Sequence, residues 1–384
     1  MIKMLVAYTN EIDDADAAVS EVLGQLEPER NLLNNSVGMA FFYSEFLETG
    51  VVKALSDALP FDVIGCTTSN VAIPGVMGDT ALVLAVLTSD DVTFRAGMSE
   101  PMQGGAREPV KELYSRLAPP LYEKPALLLT LAPVIQNVSG DDIIDALDSA
   151  SGGVPVFGSL AFTHLSDFSG IYTSFNGEAS SGALTLIALY GDVKPEFFRT
   201  PTPEERVVLN KAVITRSVGN EVWEINGQNT IDYLESIGIG TQGNAAGMSS
   251  IPLVVTLKDG SRVVRSPYKI LDNGHISFYG AAPEGSEVGF SNFEMDFVTT
   301  SARDTLKAAA ENSESGNILL FSCAARKWTL GAFFLDEMKE VAGCLDESFK
   351  YQLAYSGGEI CPVRNDKGEL VNRFHNYTMI GCIF

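Results

Sequence analysis

The sequence predicts a mixed α/β fold, in which repeated strand–helix–strand–hairpin units form mixed sheets covered by helices, arranged as two lobes. Three observations predict this fold. Apolar runs typical of buried strands alternate with segments of helical periodicity along most of the 384 residues. The same order of elements recurs three times. The length also exceeds the roughly 250–300 residues at which a single core stops growing, so we expect more than one packed region.

The first repeat occupies the start of the chain. Its second half contains a strand that stops at the small residues Gly65-Cys66-Thr67-Thr68, and two further strands close the unit. We expect strands and helices in alternation, followed by a pair of strands, over residues 4–7, 13–26, 37–43, 50–59, 63–64, 80–88 and 91–96.

The second repeat has the same order of elements. Its helix places Ile143, Ile144 and Leu147 on one inward face, and the strand after it stops at Gly158-Ser159. Asn176-Gly177 is a strong hairpin signal, because both residues tolerate the left-handed backbone that such turns need. The expected elements lie over residues 126–130, 141–150, 154–157, 170–175 and 183–190.

Prolines separate the second repeat from the third. Pro195, Pro201 and Pro203 stand close together, and proline interrupts regular elements. We therefore place a boundary near residue 200, with one region over 1–200 and another over 201–384. Arg265, beside a turn in the second region, is expected to be solvated or locally paired. Hairpins and a short helix are expected after the boundary, over residues 207–215, 221–225, 230–238, 254–257, 262–265 and 275–278.

The third repeat begins with a buried strand over 318–321, preceded by a helix over 299–311. A second helix is predicted over 330–345, because apolar side chains form one stripe at Phe333, Phe334, Met338, Val341 and Ala342. Glu337 falls inside this stripe. A carboxylate on a buried face needs a partner, since an unpaired buried charge is costly, and Arg326 is the nearest candidate in the sequence.

Further polar residues gather at the end of the third repeat. Gly357 and Gly358 allow a close backbone approach, and Glu359 follows them with a negative charge. Asn376 and Thr378 alternate as i and i+2 on a predicted strand, so both side chains would face the same way. The candidate ligand-binding residues are therefore Arg326, Glu359, Gly358, Asn376 and Thr378, with Glu337 and Cys323 behind them.

Opposite charges in one pocket match a zwitterion. The guanidinium of Arg326 suits a carboxylate, and the carboxylate of Glu359 suits an ammonium group. The expected ligand is an amino acid or a related small metabolite. In the alternative interpretation, Arg326, Glu337 and Glu359 form a buried ion-pair network that holds the fold together.

The sequence contains few signs of catalysis. The common hydrolase, metalloprotease, phosphate-binding and dinucleotide-binding motifs do not occur. His164, His275 and His375 are too scattered to suggest a metal site, and we expect no resident cofactor. Cys323 leaves one enzymatic alternative open, a cysteine-dependent hydrolase or transferase in which His375 or a helix N-terminus activates the thiol.

Charge and cysteine usage limit the partners and the compartment. A net charge of −23 argues against nucleic acid and anionic membranes, which attract lysine and arginine. The longest apolar run, over 126–135, is shorter than the ~20 residues of a membrane span. Five cysteines without a CxxC pair are typical of a reducing compartment, so we expect a cytoplasmic protein.

Several short motifs resemble one known family. They are Ser322-Cys323-x-x-Arg326, Glu337, Gly358-Glu359-Ile360 and Asn376-x-Thr378, together with Ile64-Gly65-Cys66-Thr67-Thr68 and Pro155-Val156-Phe157-Gly158-Ser159 nearer the start. Their order and spacing resemble the FIST domain, a bacterial and archaeal sensory domain that binds small ligands. The resemblance covers nearly the whole chain and implies a FIST N-terminal domain over 1–200 and a FIST C-terminal domain over 201–384.

The resemblance also implies a role in signal transduction. No kinase, methyl-accepting or cyclase segment is visible, so the expected output passes through a separate partner such as a histidine kinase. A haem-binding branch of the family senses nitric oxide through histidine ligation. Because His375 stands next to Asn376 in the matched motif, a haem-based gas sensor is a further alternative.

Overall fold

The computed structural model describes residues 1–78, 80–118, 124–163, 169–202, 204–240, 252–258, 260–291, 293–313, 316–345, 347–365 and 367–384. Across these residues the strands form three six-stranded sheets and one eight-stranded sheet, and helices cover the sheets. Each six-stranded sheet combines one parallel pair of strands with antiparallel neighbours. The predicted mixed α/β class is confirmed.

The first unit fills the start of the chain. It consists, in order, of β1 (Lys3–Thr9), α1 (Ala15–Leu26), α2 (Pro28–Asn31), β2 (Asn35–Phe42), α3 (Glu45–Glu48), α4 (Val51–Ala58), β3 (Val63–Thr67), β4 (Val71–Ile73), β5 (Val76–Gly78) and β6 (Leu82–Ser89). Strands β2 and β3 run parallel, while β6 lies antiparallel between β1 and β2.

The second unit repeats this order with fewer helices. It consists of β7 (Thr93–Met98), α5 (Arg107–Leu117), β8 (Leu127–Ala132), α6 (Gly140–Ser151), β9 (Val156–Leu160), β10 (Thr173–Phe175), β11 (Glu178–Ser180) and β12 (Thr185–Tyr190). The predicted hairpin turn at Asn176-Gly177 joins β10 to β11, and both residues have positive φ angles.

The third unit is split by an insertion. Its first strand is β13 (Glu196–Arg199). The inserted segment contains β14 (Val207–Val218), β15 (Glu221–Ile225), β16 (Gln228–Asn229), α7 (Thr230–Ser236), β17 (Leu253–Thr256), β18 (Arg262–Arg265), β19 (Pro267–Ile270), β20 (Ile276–Phe278) and β21 (Glu287–Ser291). Its eight strands form the eight-stranded sheet.

After the insertion, the third unit resumes the common order. It continues with α8 (Met295–Asn312), β22 (Asn317–Cys323), α9 (Ala324–Leu330), α10 (Asp336–Cys344), β23 (Lys350–Ser356), β24 (Glu359–Arg364), β25 (Leu370–His375) and β26 (Met379–Ile383). All three units therefore share the order strand, helix, strand, helix, strand, hairpin, strand, as the predicted repeat implies. Its bounds differ in one place, because the strand expected over 91–96 at the end of the first unit is β7, which pairs with β12 of the second unit.

The three units exchange their hairpins in a cycle. The hairpin β10–β11 of the second unit pairs with β3 of the first, with Thr173 opposite Cys66. The hairpin β24–β25 of the third unit pairs with β9 of the second, with Glu359 opposite Ser159. The hairpin β4–β5 of the first unit pairs with β23 of the third. Strands from both sides of residue 200 thus share sheets, and the division of the chain at that residue stays a prediction.

Local sequence explains where the long helices begin and end. The side chain of Asp14 accepts a hydrogen bond from Ala17 N at the start of α1, which buries one stripe of small and branched residues. Ser139 and Asp142 form a capping box at the start of α6, and Gly152 ends that helix with φ 68°.

The main core lies where the three units meet. Phe321 of β22 contacts Phe41 of β2 at 5.6 Å and Phe157 of β9 at 5.5 Å between ring centroids. All three side chains are fully buried. One aromatic ring from each unit therefore occupies the centre, and the units are expected to fold as one body, since none completes its sheet alone.

The prediction of one continuous helix over 330–345 is wrong, because two separate helices cover this region. The chain is helical from Ala324, and a left-handed Gly331 (φ 53°) separates α9 from α10. Phe333, predicted to be buried, is 57% exposed, whereas Met338 and Val341 are buried as expected. Periodicity alone cannot detect such a break, because the apolar spacing continues across the glycine.

Candidate functional site

The candidate site lies where strands of the three units end. The amide of Phe162 donates to Thr67 O at 2.9 Å, and Leu160 N donates to Gly358 O at 2.9 Å. Tyr355 N donates to Asn70 O at 3.1 Å. The carboxyl ends of β3, β9 and β23 are thereby tied together. In open α/β sheets this is the place where ligands bind, because helix starts and loops gather there.

A fully buried ion pair stands on one side of this region. Arg326 follows β22 directly, and Glu337 lies in the first turn of α10. The guanidinium Nη2 and Nε of Arg326 lie 2.6 and 2.8 Å from Glu337 Oε1, and both side chains are 0% exposed. The pairing expected from the sequence is confirmed. Its geometry supports the alternative in which these two residues stabilise the fold.

Other side chains complete the shell of this ion pair. Ser322 Oγ donates to Glu337 Oε2 at 2.8 Å, and the hydroxyl of Tyr355 donates to the same oxygen at 2.7 Å. Arg326 Nη2 also donates to Val298 O at 2.8 Å, on α8. Burial, followed by the charge of Glu337, raises the pKa of Tyr355 well above its usual value, so its hydroxyl stays a donor.

Glu359 has a different environment. Ser356 Oγ donates to Oε1 at 2.6 Å, and Thr378 Oγ1 donates to Oε2 at 2.8 Å. The thiol of Cys323 lies close enough for its protonation to be coupled to that of this carboxyl. The carboxyl is fully buried, and among the described residues no lysine, arginine or histidine lies within ion-pair distance. Burial raises the pKa of Glu359 to about 8, although these hydrogen bonds lower it.

The remaining predicted residues surround Glu359 closely. A Cβ atom on Gly358 would stand 2.2 Å from the ring of Phe374, so only glycine fits at this approach. Asn376 accepts from Ser266 N at 3.3 Å and donates to Gly357 O at 3.4 Å. The structure therefore brings Gly358, Asn376, Thr378 and Cys323 together around Glu359.

The strand predicted through 375–380 is wrong. Strand β25 ends at His375 and β26 starts at Met379, so Asn376 and Thr378 lie in the turn between them. Tyr377 adopts the left-handed conformation, with φ 61°. The turn, and not strand alternation, aims the Thr378 hydroxyl at Glu359. A bulky residue with positive φ is uncommon, which explains why the sequence pattern suggested a strand.

Cys323 and His375 do not form a catalytic pair. Burial, followed by the charge of Glu359, raises the pKa of the Cys323 thiol well above its usual value, which disfavours the nucleophilic thiolate. The imidazole of His375 faces Cys361 O, with Nε2 at 3.3 Å, and burial lowers its pKa to about 3. His375 is therefore engaged elsewhere, whereas Cys323 is the N-cap residue of α9, so the helix N-terminus named as the other possible activator is present beside the thiol. The thiol-enzyme alternative stays a prediction.

The described histidines also do not fit a haem iron. His375 is enclosed between strands and 5% exposed, so a planar macrocycle has no open face beside it. His275 stacks on Trp223 at 5.0 Å between ring centroids, in the inserted sheet. His164 lies outside the described residues. In the described part of the chain, no group of three or more His, Cys, Asp or Glu side chains could hold a metal ion.

One buried contact was missed by the sequence. Arg265, expected to be solvated or locally paired, is fully buried, and its Nη2 donates to both carboxylate oxygens of Asp141 on α6, at 3.0 Å each. Its Nη1 also donates to Phe374 O at 3.1 Å. A partner 124 residues away leaves no local pattern in the sequence. The contact fixes the inserted sheet against α6 of the second unit. It lies next to β25, the strand that pairs with the one Glu359 begins.

Comparison with protein families identifies two matches. The model described as FIST N domain matches residues 36–228, and the model described as FIST C domain matches residues 232–362. Together they cover most of the chain. The second match includes Cys323, Arg326, Glu337 and Glu359. A search of curated proteins found no match. Among the described helices, none is both long and apolar enough to cross a membrane.

Proposed function

The chain belongs to the FIST family, and from this premise we propose that it is a sensor whose ligand carries a cationic amine recognised by Glu359. FIST domains are associated with sensory signal transduction and small-ligand binding. The proposed ligand is an amino acid or a related small amine. The output passes to a separate partner protein, for which a histidine kinase remains the expected class.

The buried carboxyl of Glu359 carries this proposal. A buried acid without a cationic partner is costly when ionised, and its raised pKa keeps it protonated at neutral pH. An ammonium group beside it reverses that preference, because an opposite charge favours the carboxylate. The hydroxyls of Ser356 and Thr378 hold the two oxygens in place for such a contact. Perturbed acids of this kind are concentrated at functional sites.

Arg326 has a weaker claim to the ligand. Its charge is balanced by Glu337, and both are fully buried. Its Nη1 atom, which has no hydrogen-bond partner among the described residues, is one donor left for a ligand, but Nε and Nη2 are engaged within the fold. The proposal therefore assigns the amine to Glu359 and the structural ion pair to Arg326 and Glu337. We also expect that the chain is not an enzyme and that it works in a reducing cytoplasm.

Full burial of Glu359 supports a sensory role in another way. An amine reaches the carboxyl only if the turn after β25 or the Gly357-Gly358 turn moves. Binding then requires a conformational change. The ligand shifts the balance between the closed and the opened arrangement of the turn by its differential affinity for the two. Asn376 lies in one of these turns and contacts Ser266 of the inserted sheet, so movement there reaches a second part of the molecule.

A thermal-shift screen of L-amino acids and simple amines tests the proposal. An amine at about 100 times its dissociation constant should stabilise the wild type by roughly 2.7 kcal/mol. The Glu359→Gln variant should lose this effect. The Glu340→Gln variant, which changes a partly exposed side chain on α10, should keep it. Because binding releases the proton of Glu359, the affinity should rise about tenfold per pH unit up to about pH 8 and then level.

Two outcomes would contradict the proposal. Stabilisation of Glu359→Gln equal to that of wild type would place the amine elsewhere. An affinity that does not change between pH 6 and pH 8 would show that no proton leaves Glu359 on binding.

A further inference from the structure

An open groove follows helix α8 on the surface of the third unit. Its volume is about 720 Å³. One wall is formed by Phe198, Pro201, Glu205 and Arg206, and the other by α8 from Asp296 to Ala309. Helical rise makes this second wall about 20 Å long. The groove is therefore long enough for about three turns of a second helix.

The inner surface of the groove is largely apolar. Phe198 and Phe297 contribute aromatic rings, and Ala308 and Ala309 leave the helix surface flat. Apolar surface of this extent with a polar rim is typical of a protein interaction site.

The rim of the groove is acidic. Asp296 and Asp304 have side chains that are 66% and 68% exposed, and Glu205 is exposed on the opposite wall. Part of this charge is balanced, because Arg206 pairs with Asp296 at 3.2 Å and Arg303 lies 3.6 Å from Asp304. A basic partner complements this rim, and the protein's charge of −23 guides it there. A second copy of the chain carries the same charge and is repelled.

We propose that this groove binds an amphipathic helical segment of a partner protein. The apolar face of that segment fills the groove, and its lysine or arginine side chains meet Glu205, Asp296 and Asp304. A helix laid in an apolar groove is a common mode of peptide recognition, in which apolar anchors recur at helical spacing.

The groove lies next to the buried ion pair. Ser301 lies in the groove wall, and its Oγ accepts a hydrogen bond from Arg326 Nη2 at 3.2 Å. Helix α8 therefore contacts the occupant on one face and the Arg326–Glu337 pair on the other. A change in the affinity for the partner when a ligand binds at Glu359 would rest on the proposed function. The docking itself does not.

Fluorescence anisotropy with a designed peptide tests the docking. The probe is a labelled amphipathic helical peptide with leucine on one face and lysine on the other, added to the full chain without any ligand. Ala308→Arg and Asp304→Lys change exposed positions and should each weaken binding about tenfold, equivalent to about 1.4 kcal/mol. Glu112→Lys makes the same charge reversal on α5, the corresponding helix of the second unit, and should leave binding unchanged.

The control peptide carries glutamate in place of lysine and should not bind. An equal loss of peptide binding in the Asp304→Lys and Glu112→Lys variants would show general attraction to an acidic surface and would overturn the proposal. Absence of binding to the lysine peptide would do the same, and so would a dimer of the chain that Ala308→Arg dissociates. Because no amine is added, these results are independent of the Glu359 screen.

Discussion

Burial gives two glutamates of the third unit different roles. Glu337 and Glu359 are both 0% exposed, yet one has a guanidinium at 2.6 Å and the other has hydroxyl neighbours. The first arrangement neutralises the charge within the fold. The second leaves a carboxyl that is stable when protonated and becomes a carboxylate when a cation arrives. Only the structure separates them, because both appear in the sequence as acids among apolar residues.

Part of the site could be predicted from the sequence at the scale of single residues. The burial of Glu337 followed from its place in an apolar stripe, and Arg326 was the nearest partner. Ser356 and Tyr355 gave no comparable pattern. Ser356 ends an apolar strand, and Tyr355 resembles an ordinary core aromatic residue. Their roles arise from distances across the fold, which a single sequence does not contain.

The ion pair makes a prediction at the residue scale. Glu337→Gln leaves the guanidinium of Arg326 buried and unpaired, and should lower the free energy of unfolding by about 3–5 kcal/mol. The double variant Arg326→Met/Glu337→Gln should lose much less than the sum of the single variants, because no unpaired charge remains. Urea denaturation measures all three.

A more exposed pair, between Glu340 of α10 and Arg303 of α8, is the control. Glu340 lies 3.6 Å from Arg303, and their side chains are 30% and 38% exposed. Glu340→Gln should change stability by less than about 1 kcal/mol. Additive effects of Arg326→Met and Glu337→Gln would rule out the coupling that we assign to the buried pair.

At the scale of elements, periodicity predicted most helices and strands but not their interruptions. The break at Gly331 and the turn at 376–378 both depend on left-handed residues, Gly331 and Tyr377. Glycine inside a helical pattern is often tolerated, so its effect cannot be decided from spacing. The interruption at Tyr377 matters more, because it turns the Thr378 hydroxyl towards Glu359.

The order of the repeated units was predictable, whereas their exchange of hairpins was not. Three similar strings of elements indicate three similar units. Consecutive elements usually pack as neighbours, so the order of the elements alone would keep β24 and β25 within their own unit. Instead they extend the sheet of the second unit. As a result, Glu359 begins a strand in the sheet of the second unit. Ser356 and Thr378 lie at the ends of strands in the sheet of the third unit.

At the scale of the whole molecule, the inserted sheet is fixed by a few polar contacts. Arg265 pairs with Asp141, and Ala281 N donates to the same carboxylate at 2.7 Å. Asn376, beside the Glu359 site, contacts Ser266. The position of the inserted sheet is thereby linked to the turn that holds Thr378. Such a link suits a sensor, provided that the sheet has two arrangements that the ligand favours unequally.

Removal of Asp141 tests this attachment. Asp141→Asn leaves Arg265 buried with a weaker partner and should lower the free energy of unfolding by about 2–5 kcal/mol. Hydrogen exchange should increase in the strands of the inserted sheet. Asp145→Asn removes an exposed carboxylate from the same helix and should have an effect within about 0.5 kcal/mol. Equal effects of the two variants would show that the pair does not hold the sheet.

The most direct measurement is infrared difference spectroscopy of Glu359 in the ligand-free protein. Wild type minus Glu359→Gln should show the carbonyl stretch of a protonated carboxylic acid at pH 7. This band should disappear as the pH rises through about 8, because burial without a cation keeps the acid protonated until then. Absence of the band at pH 6 would mean that Glu359 is already ionised and paired, which would contradict its proposed role in recognising an amine.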